Sequence, residues 1–177
     1  MKQKKVYIMS GVPGSGKSTW VRSWAKPDDI IISRDAIRFA MLKEGDDYFS
    51  KENEVLRIFK QQINQAIQNS EVESVFIDAT HLSSKSRVDM VRQLPAGDYE
   101  LIAAAAIVPL ETCLERNAQR NGRALVPEDV IRSMNASYTY PSLKEGFSHI
   151  YHIFKDGATY EWNEAGKYYS PRYSGKE

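Results

Sequence analysis

A glycine-rich segment near the start of the chain carries the strongest chemical signal. The run Gly11-Val12-Pro13-Gly14-Ser15-Gly16-Lys17-Ser18 fits the pattern G-x-x-x-x-G-K-[ST], which binds nucleotide phosphates. A short apolar run precedes it and a helical stretch follows, so backbone N–H groups and the helix dipole would converge on an anion. Lys17 would supply positive charge to the terminal phosphates, and Ser18 a hydroxyl for Mg²⁺.

This segment therefore predicts a site for ATP, or another nucleoside triphosphate, together with Mg²⁺. The competing interpretation is a chance glycine turn with a surface lysine, which the strand–loop–helix context disfavours. The motif does not say what receives the phosphate. The residues assigned to the nucleotide are Gly11, Pro13, Gly14, Ser15, Gly16, Lys17, Ser18 and Thr19.

Charged side chains follow the second predicted strand, in the sequence SRDAIR over residues 33–38. Ligands of open α/β sheets bind outside the carboxyl ends of the strands, which places Asp35 near the mouth of the glycine-rich loop. If a helix begins here, Asp35 and Arg38 share one face, where Asp35 would deprotonate an alcohol and Arg38 would hold a neighbouring anionic group. Arg34 is also assigned to the acceptor. The alternative is an Asp35 that only caps the helix, beside a solvated Arg38.

A second carboxylate, Asp78, ends the third predicted strand, behind the apolar run of residues 75–77. The strand would bring Asp78 to the same sheet edge, where it would hold a Mg²⁺-bound water. The alternative is a cap for the following helix. His81 is interpreted as a loop residue, and His149 and His152 as structural.

Arginines cluster after the fourth predicted strand. Arg116 and Arg120 are four residues apart, which puts them on one face of a predicted helix, and Arg123 follows just past Gly122. Such a group could close as a mobile lid over a triphosphate and neutralise the charge that shifts during transfer. The alternative is a solvated basic helix.

Strands and helices alternate along the chain, which predicts an α/β fold with a parallel sheet covered by helices on both faces. The segment 100–108 holds four alanines, but Gly97 and Pro109 bound it, so a strand is preferred over a helix. The strand over 29–33 is predicted to be buried because it contains three successive isoleucines. Strands are predicted over 6–10, 29–33, 74–78, 100–108 and 148–154, and helices over 18–25, 36–43, 52–69, 84–93, 110–121 and 127–138.

Composition narrows the class of protein. The 177 residues, of which 42% are hydrophobic, suit one compact domain, and the net charge of +1 excludes a strongly basic nucleic-acid coat protein. The single cysteine, Cys113, excludes an internal disulfide and is interpreted as a packed thiol. The apolar run after the N-terminal lysines is too short for a signal peptide, and no run reaches membrane-span length, which predicts a cytoplasmic protein.

Four segments together resemble a known family: GVPGSGKSTW, SRDAIR, FIDATH and LERNAQRNGRALVPEDVIRSM. In this order they are similar to the kinase domain of phage-type 5′-hydroxyl polynucleotide kinases, from about residue 6 to about residue 134. The resemblance implies a P-loop NTPase fold with an arginine-bearing helical lid, acting in a host cytoplasm if phage-encoded. It implies transfer of the γ-phosphate of ATP to the 5′-hydroxyl of DNA or RNA, with the 5′ end of a nucleic acid as partner.

The resemblance also implies roles for single residues. Asp35 would be the general base, Arg38 would contact the phosphate next to the acceptor hydroxyl, and Asp78 would support the water shell of the metal. Lys17 and the lid arginines, Arg116 and Arg120, would act on the donor. The chain departs from the family pattern at His81, where asparagine is frequent, and near residues 121–122, where the lid carries an extra residue.

Residues 1–155 are predicted as a P-loop kinase domain, without a phosphatase domain. Residues 156–177 are predicted as an aromatic extension that forms a hairpin on the core, stacks bases or contacts another subunit; its aromatic residues are Tyr160, Trp162, Tyr168, Tyr169 and Tyr173. A homo-oligomer is left open. The rival functions are a P-loop kinase for a small metabolite or a tRNA-attached hydroxyl, and an ATPase switch that transfers no phosphate.

Overall fold

A seven-stranded sheet forms the centre of the molecule. The computed structural model describes the backbone of residues 2–169 and the side chains of residues 2–166. The strands are β1 Lys4–Ser10, β2 Ile30–Ser33, β3 Ser74–Asp78, β4 Tyr99–Ile107, β5 His149–Phe154, β6 Thr159–Asn163 and β7 Lys167–Tyr169. Their order in the sheet is β2-β3-β1-β4-β5-β6-β7; the first five pair in parallel, and β6 and β7 each pair antiparallel with the strand before them. The predicted α/β fold is confirmed, and its sheet is mostly, not wholly, parallel.

Helices cover both faces of this sheet because successive residues of a strand point to opposite sides. On β1, Val6 and Ile8 pack in one core cluster with Phe59, whereas Tyr7 and Met9 pack in another with Trp20. The helices are α1 Lys17–Trp24, α2 Arg34–Met41, α3 Glu52–Gln68, α4 Ser84–Gln93, α5 Leu110–Ala118 and α6 Glu128–Ser137, with 3-10 turns at Gly122–Ala124 and Leu143–Glu145.

The alanines of β4 show why a strand forms there in spite of helix propensity. Residues 103–106 lie in the middle of the sheet and are all buried; 103–105 pair with β1 on one side, and 103–106 pair with β5 on the other. A side-chain carbon added to Gly11 would lie 3.0 Å from the Cβ of Ala106. Small residues on β4 therefore leave room for the loop that follows β1.

Two sequence predictions need correction. The strand predicted over 29–33 is only partly buried, since β2 is the edge strand: Ile30 and Ile31 are 38% and 42% exposed, whereas Ile32 is buried. The helix predicted over 110–121 ends at Ala118, so Arg116 and Arg120 do not share a helical face. Asn117 explains the early end, because its side chain accepts from the N–H of Val126 at 3.0 Å and donates to the carbonyl of Val126 at 2.7 Å, which turns the chain back.

The hairpin of β6 and β7 extends the sheet beyond β5. Trp20 Nε1 on α1 donates to Thr159 Oγ1 at 2.8 Å, and His149 Nδ1 on β5 lies 2.5 Å from Glu161 Oε1. Tyr173 lies outside the described residues, as do the side chains of Tyr168 and Tyr169. Between residues 2 and 169, every helix is too short or too polar to cross a bilayer. The cytoplasmic location and a homo-oligomer stay predictions.

Candidate active site

The glycine-rich loop joins β1 to α1 with a backbone that only glycine adopts easily. Gly14 and Gly16 have φ angles of 80° and 90°. A side-chain carbon on Gly14 would also lie 2.3 Å from the backbone carbonyl oxygen of Cys113, so the backbone of residue 113 lies directly against the loop at this point. Gly16 is the N-cap of α1 and offers no side chain to its first turn, so the N–H groups there remain available to an anion.

Lys17 joins the donor and acceptor sides of the site. Its side chain is buried, and its Nζ donates to the carbonyl of Val12 at 3.1 Å. Burial lowers the pKa of Lys17, and Arg120 acts in the same direction, while the carboxylates of Asp78 and Asp35 raise it. Asp35, Asp78 and Arg120 are thus close enough to Lys17 to change the pKa of its ammonium group.

Ser18 and Asp78 meet at the carboxyl end of the sheet. Ser18 Oγ donates to Asp78 Oδ2 at 2.6 Å, and Asp78 is buried at the end of β3, paired in register with Ser33 of β2. The interpretation of Asp78 as a helix cap is wrong, because Ser83 caps α4 by accepting from the N–H of Ser86. A hydroxyl and a carboxylate side by side are the hard oxygen ligands that Mg²⁺ prefers, so these two residues fit the ion.

Asp35 is held in place and still open to solvent. Its Oδ1 accepts from Arg38 Nη1 at 2.5 Å and from the hydroxyl of Tyr48 at 3.1 Å, while its side chain is 63% exposed. Asp35 does not cap α2, since Ser33 does so by accepting from the N–H of Ala36 at 3.2 Å. The carboxylate is therefore oriented by two donors and accessible to a second substrate.

Arg38 is not solvated, because Glu52 of α3 neutralises it inside the protein. Its side chain is 5% exposed, and its Nε and Nη2 donate to Glu52 Oε2 at 3.2 and 2.8 Å. Its guanidinium also lies 4.6 Å from the centre of the Tyr48 ring. In this arrangement the donors of Arg38 hold Asp35, Tyr48 and Glu52, so its clearest role is to orient Asp35.

Glu52 also binds Arg34, the other arginine assigned to the acceptor substrate. Arg34 Nη2 donates to Glu52 Oε1, whereas the buried Nε of Arg34 makes no hydrogen bond with the described residues. Burial alone would raise the pKa of Glu52, but hydrogen bonds from Arg38 and Arg34 hold it below its ordinary value. The carboxylate of Glu52 thus stays ionised between two guanidinium groups.

Of the two lid arginines, Arg116 lies on α5 and Arg120 lies just beyond the end of that helix. Arg116 Nη2 donates to the carbonyl of Lys155 at 2.8 Å, and its Nη1 lies 3.5 Å from the carbonyl oxygen of Gly14. Arg116 therefore lies directly against the phosphate loop. An open cleft of about 620 Å³ lies beside it, lined by Ile107, Pro109, Arg116, Phe154, Lys155 and Asp156.

Arg123 connects the segment after α5 with the segment after α2. From the 3-10 turn Gly122–Ala124, its Nη2 donates to the carbonyl of Lys43 at 2.5 Å and to that of Asp46 at 3.2 Å. The segment after α5 thus touches the loop between α2 and α3. This contact gives Arg123 a structural partner that its sequence position did not indicate.

Sequence reasoning missed the buried pair of Arg87 and Glu145. Arg87 is fully buried, donates to both Glu145 oxygens at 2.7 and 2.9 Å, and donates to the carbonyl of His81 at 2.9 Å. Ser10 Oγ donates to the same carbonyl at 2.8 Å, so this network fixes the end of β1 where the phosphate loop starts. No local signal marks the pair, because α4 is polar and Glu145 lies 58 residues away.

His81 is a buried loop residue that supports β1. It has a φ of 39°, and its Nδ1–H donates to the carbonyl of Met9 at 2.8 Å. Burial lowers the pKa of His81 to about 4, so the ring is neutral near pH 7. The interpretation of His81 as a loop residue is confirmed.

Comparison with known proteins identifies a family. The family model AAA_33, described as an AAA domain, matches residues 6–141. A protein of Autographa californica nuclear polyhedrosis virus, named as a bifunctional polynucleotide kinase/RNA ligase, is 29% identical over 142 residues. The match covers 72% of this chain and 20% of the viral protein.

Two solved structures share the fold. A chain of the Pnkp1/Rnl/Hen1 RNA repair complex has a TM-score of 0.65 at 21% identity, over 77% of this chain and 44% of that one. An unliganded sugar kinase from Janibacter sp. HTCC2649 has a TM-score of 0.59 at 19% identity, over 86% of each chain. At these identities the likeness shows the fold, which RNA repair proteins and sugar kinases have in common.

Proposed function

Because this chain belongs to the AAA_33 family, we propose that it is an ATP-dependent kinase that phosphorylates the 5′-hydroxyl end of DNA or RNA. One observation carries the proposal: Asp35 is oriented by two donors and 63% exposed, and it lies two residues after Ser33, which pairs in register with Asp78 at the same edge of the sheet. The viral relative named as a polynucleotide kinase supports the choice of acceptor.

The proposed reaction is a direct transfer between two substrates in one site. The N–H groups of the phosphate loop and Lys17 hold the outer phosphates of ATP. Asp35 takes the proton of the acceptor hydroxyl as the oxygen of that group bonds to the γ-phosphorus. The bond from this phosphorus to the β–γ bridging oxygen breaks, and ADP leaves.

Other charged residues would stabilise the charge that moves during transfer. Ser18 would hold Mg²⁺ directly and Asp78 through a water, and the ion would neutralise charge on the phosphates. Arg116 and Arg120 would do the same from the lid, as guanidinium groups suit phosphate oxygens. Arg34, whose side chain is 34% exposed, would contact the acceptor.

A panel of acceptors tests the proposal. The protein is incubated with γ-labelled ATP and Mg²⁺, and with 5′-hydroxyl oligodeoxynucleotides, oligoribonucleotides or small sugar alcohols. We expect label on the oligonucleotides and none on the sugars. Label on sugars alone would assign the chain to the function of the sugar kinase with the same fold. Rapid ATP hydrolysis with no labelled acceptor would indicate a nucleotide-driven switch.

A further inference from the structure

Three aromatic residues form a cluster next to Asp35. This acceptor-side platform consists of Phe39, Tyr48 and Phe49, whose neighbouring rings meet edge to face. Phe49 is 64% exposed, the highest value among the large apolar side chains of the described residues. Phe39 is 37% exposed as well, so the cluster presents a patch of neighbouring apolar rings, and such patches mark binding sites.

The exposure of Phe49 does not come from an irregular, unsupported loop. The N–H of Lys43 donates to Asp46 Oδ2 at 2.8 Å, and Lys51 Nζ donates to the carbonyl of Met41 at 3.1 Å. The carbonyl of Phe49 accepts from the N–H of Glu52 at 3.1 Å, at the start of α3. These bonds hold an apolar ring in water at a defined place.

Tyr48 places this ring at the acceptor side of the site. The ring centres of Tyr48 and Phe49 are 4.7 Å apart at 82°, and the Tyr48 hydroxyl donates to Asp35 at 3.1 Å. The guanidinium of Arg38, which also holds Asp35, lies 5.9 Å from the centre of the Phe49 ring. An acceptor whose hydroxyl meets Asp35 thus has an exposed aromatic face within the reach of one nucleotide.

We propose that Phe49 is the surface on which the terminal base of the acceptor strand stacks. The inference rests on the proposed function and adds a reason for its substrate class. Aromatic rings stack on any base, because every base has a π-face, so Phe49 selects a nucleic-acid end without reading its sequence. A sugar alcohol has no such face and would gain nothing from the ring.

Two acceptors and three variants test this inference. One oligonucleotide carries an ordinary 5′-terminal nucleotide, and the other carries a 5′-terminal abasic residue with a free 5′-hydroxyl. For the unmodified chain we expect a KM roughly 5- to 100-fold lower for the first acceptor than for the second. Phe49→Ala removes this difference by raising the KM of the first acceptor alone. Phe49→Trp retains the difference, and Phe49→Leu, which keeps apolar volume without a ring, does not.

Tyr140→Ala is a matched control, because Tyr140 is an aromatic side chain with 56% exposure that packs on Tyr138 and His152. This variant should keep the preference for the ordinary acceptor. Equal KM values for the two acceptors in the unmodified chain would overturn the role of Phe49 and leave the proposed function standing. An equal loss on both acceptors in Phe49→Ala would do the same. If the unmodified chain phosphorylates no oligonucleotide, the proposed function itself fails, and the stacking role with it.

Discussion

Replacing Glu52 with glutamine should destabilise the protein and slow the transfer. The substitution keeps the size of the side chain and removes the charge between Arg34 and Arg38. Removing one member of a buried ion pair costs about 3–5 kcal/mol, because the remaining charge is left uncompensated. Since the Glu52 side chain is 21% exposed, we expect a smaller loss of about 2–3 kcal/mol, comparable with the loss of a hydrogen bond to a charged group.

Urea unfolding of both proteins measures this loss, and its pH dependence identifies the cause. The pKa of Glu52 lies below its ordinary value of 4.5, so its contribution is fully present above that pH. The contribution falls as the pH drops through the lowered pKa, because the folded state must then bind the proton. The difference between the two proteins should therefore be constant from about pH 7 to about pH 5 and shrink below it.

Glu54→Gln is the matched control on the same helix. Glu54 is 54% exposed and its Oε1 lies 3.9 Å from Arg57 Nη2, so its loss should change the free energy of unfolding by less than about 0.5 kcal/mol. We also expect Glu52→Gln to lower the transfer rate about 10- to 100-fold, since a misplaced Arg38 no longer orients Asp35. A stability loss no larger than that of Glu54→Gln would refute the view that Glu52 anchors the acceptor arginines.

Three further substitutions test the site. Asp35→Ala should lower transfer by about 10²- to 10⁴-fold and leave the affinity for ATP nearly unchanged in a nucleotide titration, since a base acts on the acceptor only; near-normal transfer would exclude the role. Arg120→Ala should lower kcat by on the order of 10³-fold through transition-state charge, and an unchanged kcat would dismiss Arg120 from the lid. His81→Asn should weaken the fall in unfolding free energy between pH 6.5 and about 4. Over that range His81 binds a proton in the unfolded chain but not in the folded one, which lowers the free energy of unfolding by up to about 3 kcal/mol. Parallel pH profiles of the two proteins would contradict this expectation.

Much of the fold could be predicted because its signals are local. The bounds of β3 and α4 agree with the sequence prediction, and the strand is marked by a short apolar run within its own residues. The phosphate loop is also local: one motif contains the glycines, the lysine and the serine. Its partner Asp78 could be found because an apolar strand fixes which sheet edge it reaches.

The errors and omissions arise where distant parts of the chain decide the outcome. Three isoleucines look the same in an edge strand and a central one, so the exposure of β2 depends on strand order. α5 ends early because of the Asn117 bonds to Val126, nine residues on. In the sequence, Glu52 and Glu145 look like ordinary surface acids. Their pairing with the buried arginines Arg38 and Arg87 forms only in the folded chain.

The proposed base, Asp35, also depends on residues that are distant in the sequence. Asp35 lies on α2, but its orientation comes from Tyr48 in the next loop and, through Arg38, from Glu52 on α3. The position of α3 depends in turn on β1, where Lys4 Nζ donates to the carbonyls of Ile67 and Asn69 at 2.7 and 2.6 Å, at the end of that helix. A chain can therefore retain the whole SRDAIR sequence and lose an oriented carboxylate through changes in α3. Similarity confined to the short motifs is for that reason weak support for transfer activity, and a relative that lacks an acid at the position of Glu52 should have a less ordered Asp35.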